Sequence, residues 1–357
     1  LIDRHEDAME AAARVRAVRT RELTRAAMSD LLGGVNPRGH AIADATDAAL
    51  LGALAIAGRE DAERWGAERA RVAFVAMGRY GGRECSYASD ADVIALHEAV
   101  GGASDSEAAA SATAIVNRVK KLLGSATSQL GIVVDLDLRP EGKNGPMSRT
   151  IASHEEYAQR WASTWERQAA VRARPIGEGS LADQARELFA ELAYGGVNES
   201  DVRDIRLLKA RMENERLPRG TEPARHVKLG PGGLSDVEWT IQLIQMRHGR
   251  EVEALRTPST TDAIAAARGA GLLAATDAEI LLNAWDLATR IRAGNTLATG
   301  RMSGVKLDVV PRDSAELGAL AAILGYGSGG LTALEEDWLR AGRKARAVME
   351  RAFWEQQ

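Results

Sequence analysis

A glycine-rich turn between two short apolar runs, within residues 71–97, constrains the fold of this chain more than any other feature. The first run, 72–77, is short and ends at glycine, which is typical of a buried strand and not of a helix. A polar segment separates the turn, 78–82, from the second apolar run, 93–96. The pattern predicts a strand, a tight turn, a short helix and a second strand.

Two carboxylates, Asp90 and Asp92, stand two residues apart at the start of the second predicted strand. Because side chains alternate along a strand, both should point to one face, about 7 Å apart along the chain. Two carboxylates aimed at one place repel each other unless a cation lies between them. Hard oxygen ligands on a rigid strand suit Mg²⁺, so the pair predicts a magnesium site.

A second acidic segment, 132–140, alternates apolar and acidic residues. As a strand it would send Asp135 and Asp137 to one face and its apolar residues to the other. Laid beside the first acidic strand, it would complete a carboxylate cluster able to hold two metal ions about 4 Å apart. Such a cluster suits in-line nucleotidyl transfer, in which one ion activates the attacking oxygen and the other steadies the leaving pyrophosphate.

Short motifs follow one another in order along the middle of the chain. They are GRYGGRE at 78–84, SDAD at 89–92, VD at 134–135 with LRP at 138–140, GKNGP at 142–146, WERQ at 165–168, RAR at 172–174 and KLGPGGLSDVE at 228–238. Together they resemble the nucleotidyltransferase signature of bacterial glutamine synthetase adenylyltransferase, which belongs to the DNA polymerase beta-like superfamily. By motif, the resemblance covers about residues 70–250.

The resemblance implies ATP-dependent transfer of AMP to a tyrosine hydroxyl of glutamine synthetase, with Mg²⁺ as the cofactor. Asp90, Asp92 and Asp135 are then expected to hold the metal and to be the catalytic residues. The tyrosine oxygen would attack the α-phosphorus in line, and Asp135 would help to remove its proton. The residues expected to bind the nucleotide are Gly78, Gly81, Gly82, Ser89, Lys143, Arg172 and Lys228.

Two of these positions, and position 137 beside them, allow a second interpretation. Lys143 could contact a phosphate or be an exposed lysine in a turn. Arg172 could clamp a phosphate or form a structural ion pair with Glu166 or another acid. Position 137 is often basic in the family that this chain resembles, so Asp137 is either a metal ligand or a neighbour of the site.

Other chemically notable residues are interpreted as structural. Cys85, the single cysteine, is expected to be a buried thiol and not a nucleophile, because no base motif accompanies it. Trp161 and Trp165 are expected to anchor the core and not to stack on adenine. Lys209 belongs to a basic run, 203–211, that could face phosphates but in most helices is a solvated face.

The expected fold is α+β: a nucleotidyltransferase core with a small mixed β-sheet, preceded by helices and followed by a mostly helical bundle. Helical spacing of apolar residues predicts lead-in helices within 7–32, 44–57 and 59–69. The lead-in is interpreted as packing on the core, the alternatives being an inter-domain connector or a surface for a regulatory partner. The expected divisions are a lead-in at 1–69, a catalytic core at 70–180 and a bundle at 181–357.

Composition limits the classes of function. The formal net charge of −4 argues against nucleic acid as the main partner, since such binders carry a basic field or stripe. A single cysteine excludes an internal disulfide framework and suits a reducing cytoplasm. We find no signal peptide and no apolar run near 18 residues, so no membrane span is expected. The start at Leu1 fits a part of a longer protein.

Attachment of AMP is favoured over two alternatives. The resembling family contains two nucleotidyltransferase halves, of which one removes AMP and the other attaches it, whereas this chain has one. The lead-in resembles the connector before the attaching half, and residues 350–357 have the character of a chain terminus. The alternatives are the AMP-removing half, with phosphate as the attacker, and a catalytically silent nucleotide-sensing module. Expected partners are glutamine synthetase, a PII-type nitrogen signal protein and glutamine as an effector.

Overall fold

The computed structural model describes residues 7–32, 38–124, 130–327 and 330–355. The chain forms two compact units, the first from residues within 1–28, 36–85 and 89–193, and the second from residues within 29–35, 86–88 and 194–357. Helices dominate both units, and a small mixed sheet lies in the first, so the predicted α+β class is confirmed. These units differ from the predicted three-part division, because the lead-in helices group with the sheet and the boundary lies near residue 193.

The first unit places helices around the sheet. They are α1 (Ala8–Leu31, as far as residue 28), α2 (Arg38–Trp65), α3 (Gly78–Gly81), α4 (Asp105–Gly124), α5 (Ile151–Arg160), α6 (Thr164–Ala170) and α7 (Ser180–Tyr194, as far as residue 193). Local signals define several of their ends. The Thr150 side chain accepts the Ser153 N–H and caps α5, and Ser163 forms a capping box with Glu166 at the start of α6.

The sheet has the order β3-β2-β1-β4 among the described residues. Its strands are β1 (Ala70–Ala76), β2 (Ala91–Ala99), β3 (Val134–Asp135) and β4 (Arg174–Pro175). β1 pairs antiparallel with β2 and β4, and β2 pairs parallel with β3. The strand prediction for the two apolar runs is confirmed, and their side chains, such as Phe74, Val75 and Leu96, are buried in the core of the unit.

The second acidic strand is shorter than predicted. Its regular pairing covers two residues, Val134 and Asp135, although burial still alternates from Ile132 to Leu136. The Asp135 Oδ1 atom accepts the N–H of Asp137 at 2.7 Å, and this side-chain bond turns the chain away from the sheet. Asp137 therefore lies in an exposed turn and not on the strand.

In the second part of the lead-in, α2 is one continuous helix where the sequence pattern predicted two separate helices. By length and composition alone α2 could cross a membrane, with a mean hydropathy of 1.5 in its most apolar window, which corrects the expectation that no such run exists. In the structure 56% of that window is buried within the protein, and α2 packs against α4. Ile42 and Leu50 of α2 are fully buried. The apolar surface of α2 therefore forms part of the hydrophobic core of the first unit.

The second unit is helical in the part of the chain described here. Its longer helices are α8 (Glu199–Glu215), α9 (Leu234–His248), α10 (Thr260–Gly269), α11 (Ala275–Thr299), α12 (Ser314–Ile323) and α13 (Gly330–Met349). Short 3₁₀ turns occur at Pro223–Arg225, Glu253–Leu255 and Val305–Asp308, and a π turn at Glu350–Trp354. Apolar residues of α9 to α13 form one buried cluster that includes Trp338, which is 1% exposed.

A buried ion pair lies inside this second unit. Lys209 on α8 and Asp236 on α9 are each 1% exposed, and their Nζ and Oδ1 atoms are 2.6 Å apart. Asp236 Oδ2 also accepts the Gly232 N–H at 2.7 Å and lies 3.2 Å from Arg346 Nη1. The interpretation of Lys209 as part of a solvated or phosphate-facing surface is therefore wrong, because its charge is neutralised internally.

We predict that His154 makes the first unit sensitive to acid. His154 is buried beside Phe189, and burial, together with the positive charge of Arg149, lowers its pKa from 6.5 to about 4. Between these pH values the unfolded chain binds a proton that the folded chain excludes, so stability falls as pH falls through this window. The His154 contribution should amount to about 2 kcal/mol between pH 6.5 and 4.5.

Urea unfolding at these two pH values measures this effect. The variant His154→Leu keeps a similar volume without a titrating group, so its free energy of unfolding should fall by about 2 kcal/mol less than that of the parent. An equal fall in both proteins would show that other groups cause the acid sensitivity.

Candidate active site

The glycine-rich turn packs directly on the first acidic strand. Met77 N–H donates to the Asp92 carbonyl oxygen at 2.9 Å, and α3 then forms a single helical turn. Gly78 has φ +54°, and a Cβ atom there would lie 3.1 Å from Asp92 Oδ2. Glycine at position 78 therefore allows both the left-handed backbone and the close approach of the carboxylate.

The two following glycines serve the packing of the turn. Gly81 N–H donates to the Met77 carbonyl at 2.8 Å, and Gly82 N–H donates to the Gly78 carbonyl at 3.2 Å. A Cβ atom at Gly81 would lie 1.8 Å from the Arg172 carbonyl oxygen. Close contact with the backbone of Arg172 therefore accounts for glycine at position 81, and both N–H groups already have protein acceptors.

The structure brings two of the three predicted acids together. Asp92 on β2 and Asp135 on β3 are partners in the parallel register, so their Cα atoms are about 4.8 Å apart and their side chains share one face. Asp90 lies just before β2 and is exposed. Within the described ranges, no three carboxylate, imidazole or thiol side chains form a group ready to hold a metal ion. Asp92 and Asp135 are therefore the acids that the strand register brings together.

Asp137 and Lys143 lie at the exposed edge of this region. Lys143 Nζ is 3.2 Å from Asp137 Oδ2, and the two side chains are 79% and 49% exposed. Lys143 belongs to a 3₁₀ turn, Gly142–Asn144, which follows the turn after β3. Because Asp137 has left the strand, the structure places it as a neighbour of the acidic pair with a lysine partner of its own.

Arg172 is used as an internal brace. Its side chain is 5% exposed, forms an ion pair with Glu84 and donates from Nε to the Gly78 carbonyl at 3.1 Å. Of the two interpretations offered by the sequence, the geometry supports the ion pair, with Glu84 and not Glu166 as the acid. Glu166 accepts the Tyr157 hydroxyl at 2.8 Å and closes the capping box of α6. Arg172 thereby fixes the glycine-rich turn from behind.

Asp47, a residue that sequence reasoning missed, joins the lead-in helix α2 to the same turn. It accepts the Tyr80 hydroxyl at 2.5 Å and both terminal nitrogens of Arg174, at 2.7 and 2.9 Å. Arg174 Nε also donates to the Gly81 carbonyl at 3.2 Å. Burial, and then the Asp47 carboxylate, hold the pKa of Tyr80 well above its usual value. No local signal marks Asp47, because its partners lie 33 and 127 residues away.

The remaining predicted residues lie in different settings. Ser89 is half-buried directly before Asp90. Lys228 is exposed and belongs to the second unit, at the loop before α9. In that loop the first N–H groups of α9 donate to the carbonyls of Val227 and Lys228 at 2.9 Å each. These N–H groups therefore already have protein acceptors.

The prediction that Trp161 and Trp165 anchor the core is wrong. They are 73% and 42% exposed. Trp161 is the C-cap of α5, and Trp165 lies in the first turn of α6, so the helical step that relates them in the sequence is interrupted by the break between two helices.

Cys85 should be unreactive in the folded protein. Burial raises the pKa of its thiol to about 12, so almost no thiolate forms near neutral pH. We expect Ellman's reagent at pH 8 to label Cys85 at least about 100-fold more slowly in the folded chain than in the urea-unfolded chain. Equal rates would contradict the burial of the thiol, and rapid labelling of the folded chain would revive the nucleophile hypothesis.

Comparison with known proteins identifies the family. The sequence model of glutamate-ammonia ligase adenylyltransferase matches residues 1–189, a segment that contains the glycine-rich turn and the acidic pair. The chain belongs to this family. A second model, described as GlnD PII-uridylyltransferase, matches residues 206–353 in the second unit.

Curated relatives of this adenylyltransferase family cover almost the whole chain. A bifunctional glutamine synthetase adenylyltransferase/adenylyl-removing enzyme of Streptomyces coelicolor is 43% identical over 99% of the chain and 36% of its own length. Proteins of the same name are 42% identical in Leifsonia xyli and 41% identical in Cutibacterium acnes, again over 99% of the chain and 35% of their own length. The chain therefore spans about a third of the length of these relatives.

Proposed function

We propose that this chain transfers AMP from ATP to a tyrosine hydroxyl of glutamine synthetase. The observation that carries the proposal is the register pair Asp92–Asp135 beside the glycine-rich turn. This pair lies inside the segment matched by the adenylyltransferase family. The relatives are named for this activity, and the chain corresponds to a part of them. The core is proposed to be of the DNA polymerase beta-like kind.

The acidic pair fits Mg²⁺ as the cofactor. Asp92 and Asp135 would hold it, with the exposed Asp90 as a third carboxylate supplied from the end of the loop. Two carboxylates on adjacent strands repel each other, and a divalent cation removes that cost. When bound, the ion would supply charge neutralisation for the phosphates and the leaving pyrophosphate.

The chain's own residues then position the reactants. Asp135 Oδ1 already accepts the Asp137 N–H, so its Oδ2 atom is the one proposed to take the proton of the tyrosine hydroxyl. Arg172 and Arg174, through the Gly78 and Gly81 carbonyls, keep the turn fixed against Asp92. A site held in this way lowers the barrier mainly by orientation and by preorganised electrostatics.

Removal of AMP is the second candidate. The relatives carry both activities in their name, and the chain spans only about a third of them. In this alternative the reaction takes place at the same acidic pair. Phosphate attacks the AMP group on the modified tyrosine, and ADP is released. We place attachment first because the lead-in resembles the connector before the attaching half.

The second unit is proposed to serve regulation. Its match to a PII-uridylyltransferase model suggests that residues 206–353 take part in the response to a PII-type signal protein or to glutamine. A catalytically silent nucleotide-sensing chain would use the same unit without transfer. All three possibilities place the protein in the cytoplasm with glutamine synthetase.

One assay separates these functions. The chain is incubated with Mg²⁺, ATP labelled at the α-phosphate and unmodified glutamine synthetase, and label on the synthetase is measured. Transfer of label supports attachment. Release of ADP from adenylylated synthetase on addition of phosphate supports removal instead. Nucleotide binding without either reaction would leave only the sensing role and would refute the proposed function.

A further inference from the structure

Arg19 is a buried arginine in the first unit to which neither the motifs nor the proposed mechanism assigns a role. It lies on α1 and is 4% exposed. Its Nε–H donates to the Thr46 hydroxyl at 3.0 Å. In the part of the chain that the structure describes, its two terminal nitrogens have no protein acceptor, and no carboxylate lies within ion-pair distance of them. The guanidinium is thus buried without an ion-pair partner among the residues that the structure describes.

The surroundings of Arg19 place it at the loop that carries the glycine-rich turn. Thr46 precedes Asp47, the residue that binds Tyr80 of the turn. Burial lowers the pKa of Arg19, and Cys85, Tyr80 and Asp90 interact electrostatically with its guanidinium, so these three groups lie near it. Near neutral pH the Cys85 thiol and the Tyr80 phenol are uncharged, because their pKa values are raised, and Asp90 is the charged group among the three. Tyr80, Cys85 and Asp90 all belong to the connection between β1 and β2, which leads directly into Asp92.

Three other arginines of the first unit differ from Arg19 in having carboxylate partners. Arg83 pairs with Asp44, Arg172 with Glu84 and Arg174 with Asp47. Their charges are neutralised within the protein and add little to the attraction of an anion. Burying a cation without a partner is costly, and the cost is recovered if an anionic ligand supplies the missing charge.

We propose that Arg19 binds the polyphosphate chain of the nucleoside triphosphate at this site. The guanidinium offers two terminal nitrogens that no protein group uses, and its planar fork matches phosphate oxygens. The lead-in helix α1 is then a part of the nucleotide site. The identity of the ligand as a triphosphate rests on the proposed function, whereas the anion site itself rests on the geometry of Arg19.

The test uses the whole chain and two substitutions. Arg19→Met removes the charge and keeps an unbranched stem, and Arg19→Lys keeps the charge without the fork. Arg21→Met, at an exposed position of the same helix, is the matched control. Titration calorimetry in Mg²⁺ measures the affinity for ATP and for inorganic tripolyphosphate, and thermal unfolding is recorded without ligand.

Arg19→Met should weaken both ligands by about 10- to 100-fold, as expected for the loss of charged hydrogen bonds. Arg19→Lys should weaken them by a smaller factor, and Arg21→Met should leave them unchanged. The melting temperature of ligand-free Arg19→Met should be equal to or above that of the parent, because an unpaired buried charge has been removed. If Arg19→Met does not fold, the affinity of Arg19→Lys tests the proposal. Weaker binding than in the parent supports it, and unchanged binding overturns it.

Unchanged affinity in the folded variants would overturn the proposal. A lower melting temperature with unchanged affinity would do the same, because Arg19 would then be a structural cation. The binding assay needs no glutamine synthetase, so its result is separate from the transfer assay. A chain that binds tripolyphosphate through Arg19 but transfers no AMP would refute the proposed function alone. A chain that transfers AMP with the same KM for ATP in Arg19→Met would refute this inference alone.

Discussion

Asp92→Asn is expected to lower the rate of AMP transfer by at least about 10³-fold while the chain stays folded. The amide has nearly the same shape as the carboxylate, so the packing against Gly78 should persist. What is lost is one of the two negative charges proposed to hold Mg²⁺ between β2 and β3. Initial rates of label transfer to glutamine synthetase measure the activity, and circular dichroism melting measures the fold.

The same substitution at Asp90 and Asp135 should have effects of the same kind. Asp137→Asn is the matched control, because Asp137 is 49% exposed, lies outside the strand and pairs with Lys143. Its transfer rate should remain within about three-fold of the parent, since an exposed pair contributes little. Near-normal transfer in both Asp90→Asn and Asp92→Asn would defeat the metal assignment. If Asp137→Asn lost as much transfer rate as Asp92→Asn, the activity would not depend specifically on the acidic pair.

Gly81→Ala should destabilise the first unit by about 4 kcal/mol and displace the glycine-rich turn. The added Cβ atom would lie 1.8 Å from the Arg172 carbonyl oxygen and 2.7 Å from the Ala76 carbonyl oxygen. Both obstacles are backbone atoms, and they belong to segments held by β1 and by the Arg172–Glu84 ion pair. The strain therefore cannot be relieved by rotating a side chain. Urea unfolding gives the free energy, and ATP binding should weaken in parallel.

Gly58→Ala provides the control for this prediction. Gly58 lies within α2, and an added Cβ atom there meets no other atom within 4 Å. Alanine favours a helix over glycine, so this variant should be more stable than the parent by about 0.5–1 kcal/mol. Gly81→Ala with parental stability would mean that the turn is not packed against Arg172 as described.

The sequence predicted the two strands around the glycine-rich turn well because its signals are local. Two short apolar runs flanking glycine define β1 and β2, and the spacing of Asp92 within the second run decides which face it shares. The third segment was predicted less well. Its alternation was correct as far as Leu136, but the Asp135 side chain bonds the backbone of Asp137, a competition that a pattern of polar and apolar residues does not reveal.

The errors in the flanking helices have a different origin. The charged residues at 59–65 suggested a separate polar helix, yet they continue α2 to Trp65, because one side of the helix packs and the other is solvated. The exposed positions of Trp161 and Trp165 follow from the break between α5 and α6, which separates residues that a continuous helix would align.

By itself, the sequence determined the family, the strand–turn–strand unit and the face on which Asp92 lies, since each of these depends on residues close together in the chain. Only the tertiary structure decided which charges are already paired. Arg172 pairs with Glu84 and Arg174 pairs with Asp47, whereas Arg19 donates a hydrogen bond to the Thr46 hydroxyl. The physical reason is that the sequence offers many acidic residues as possible partners for each arginine. The partner is the acid that folding brings next to the arginine, and in these two pairs it lies 88 and 127 residues away in the sequence.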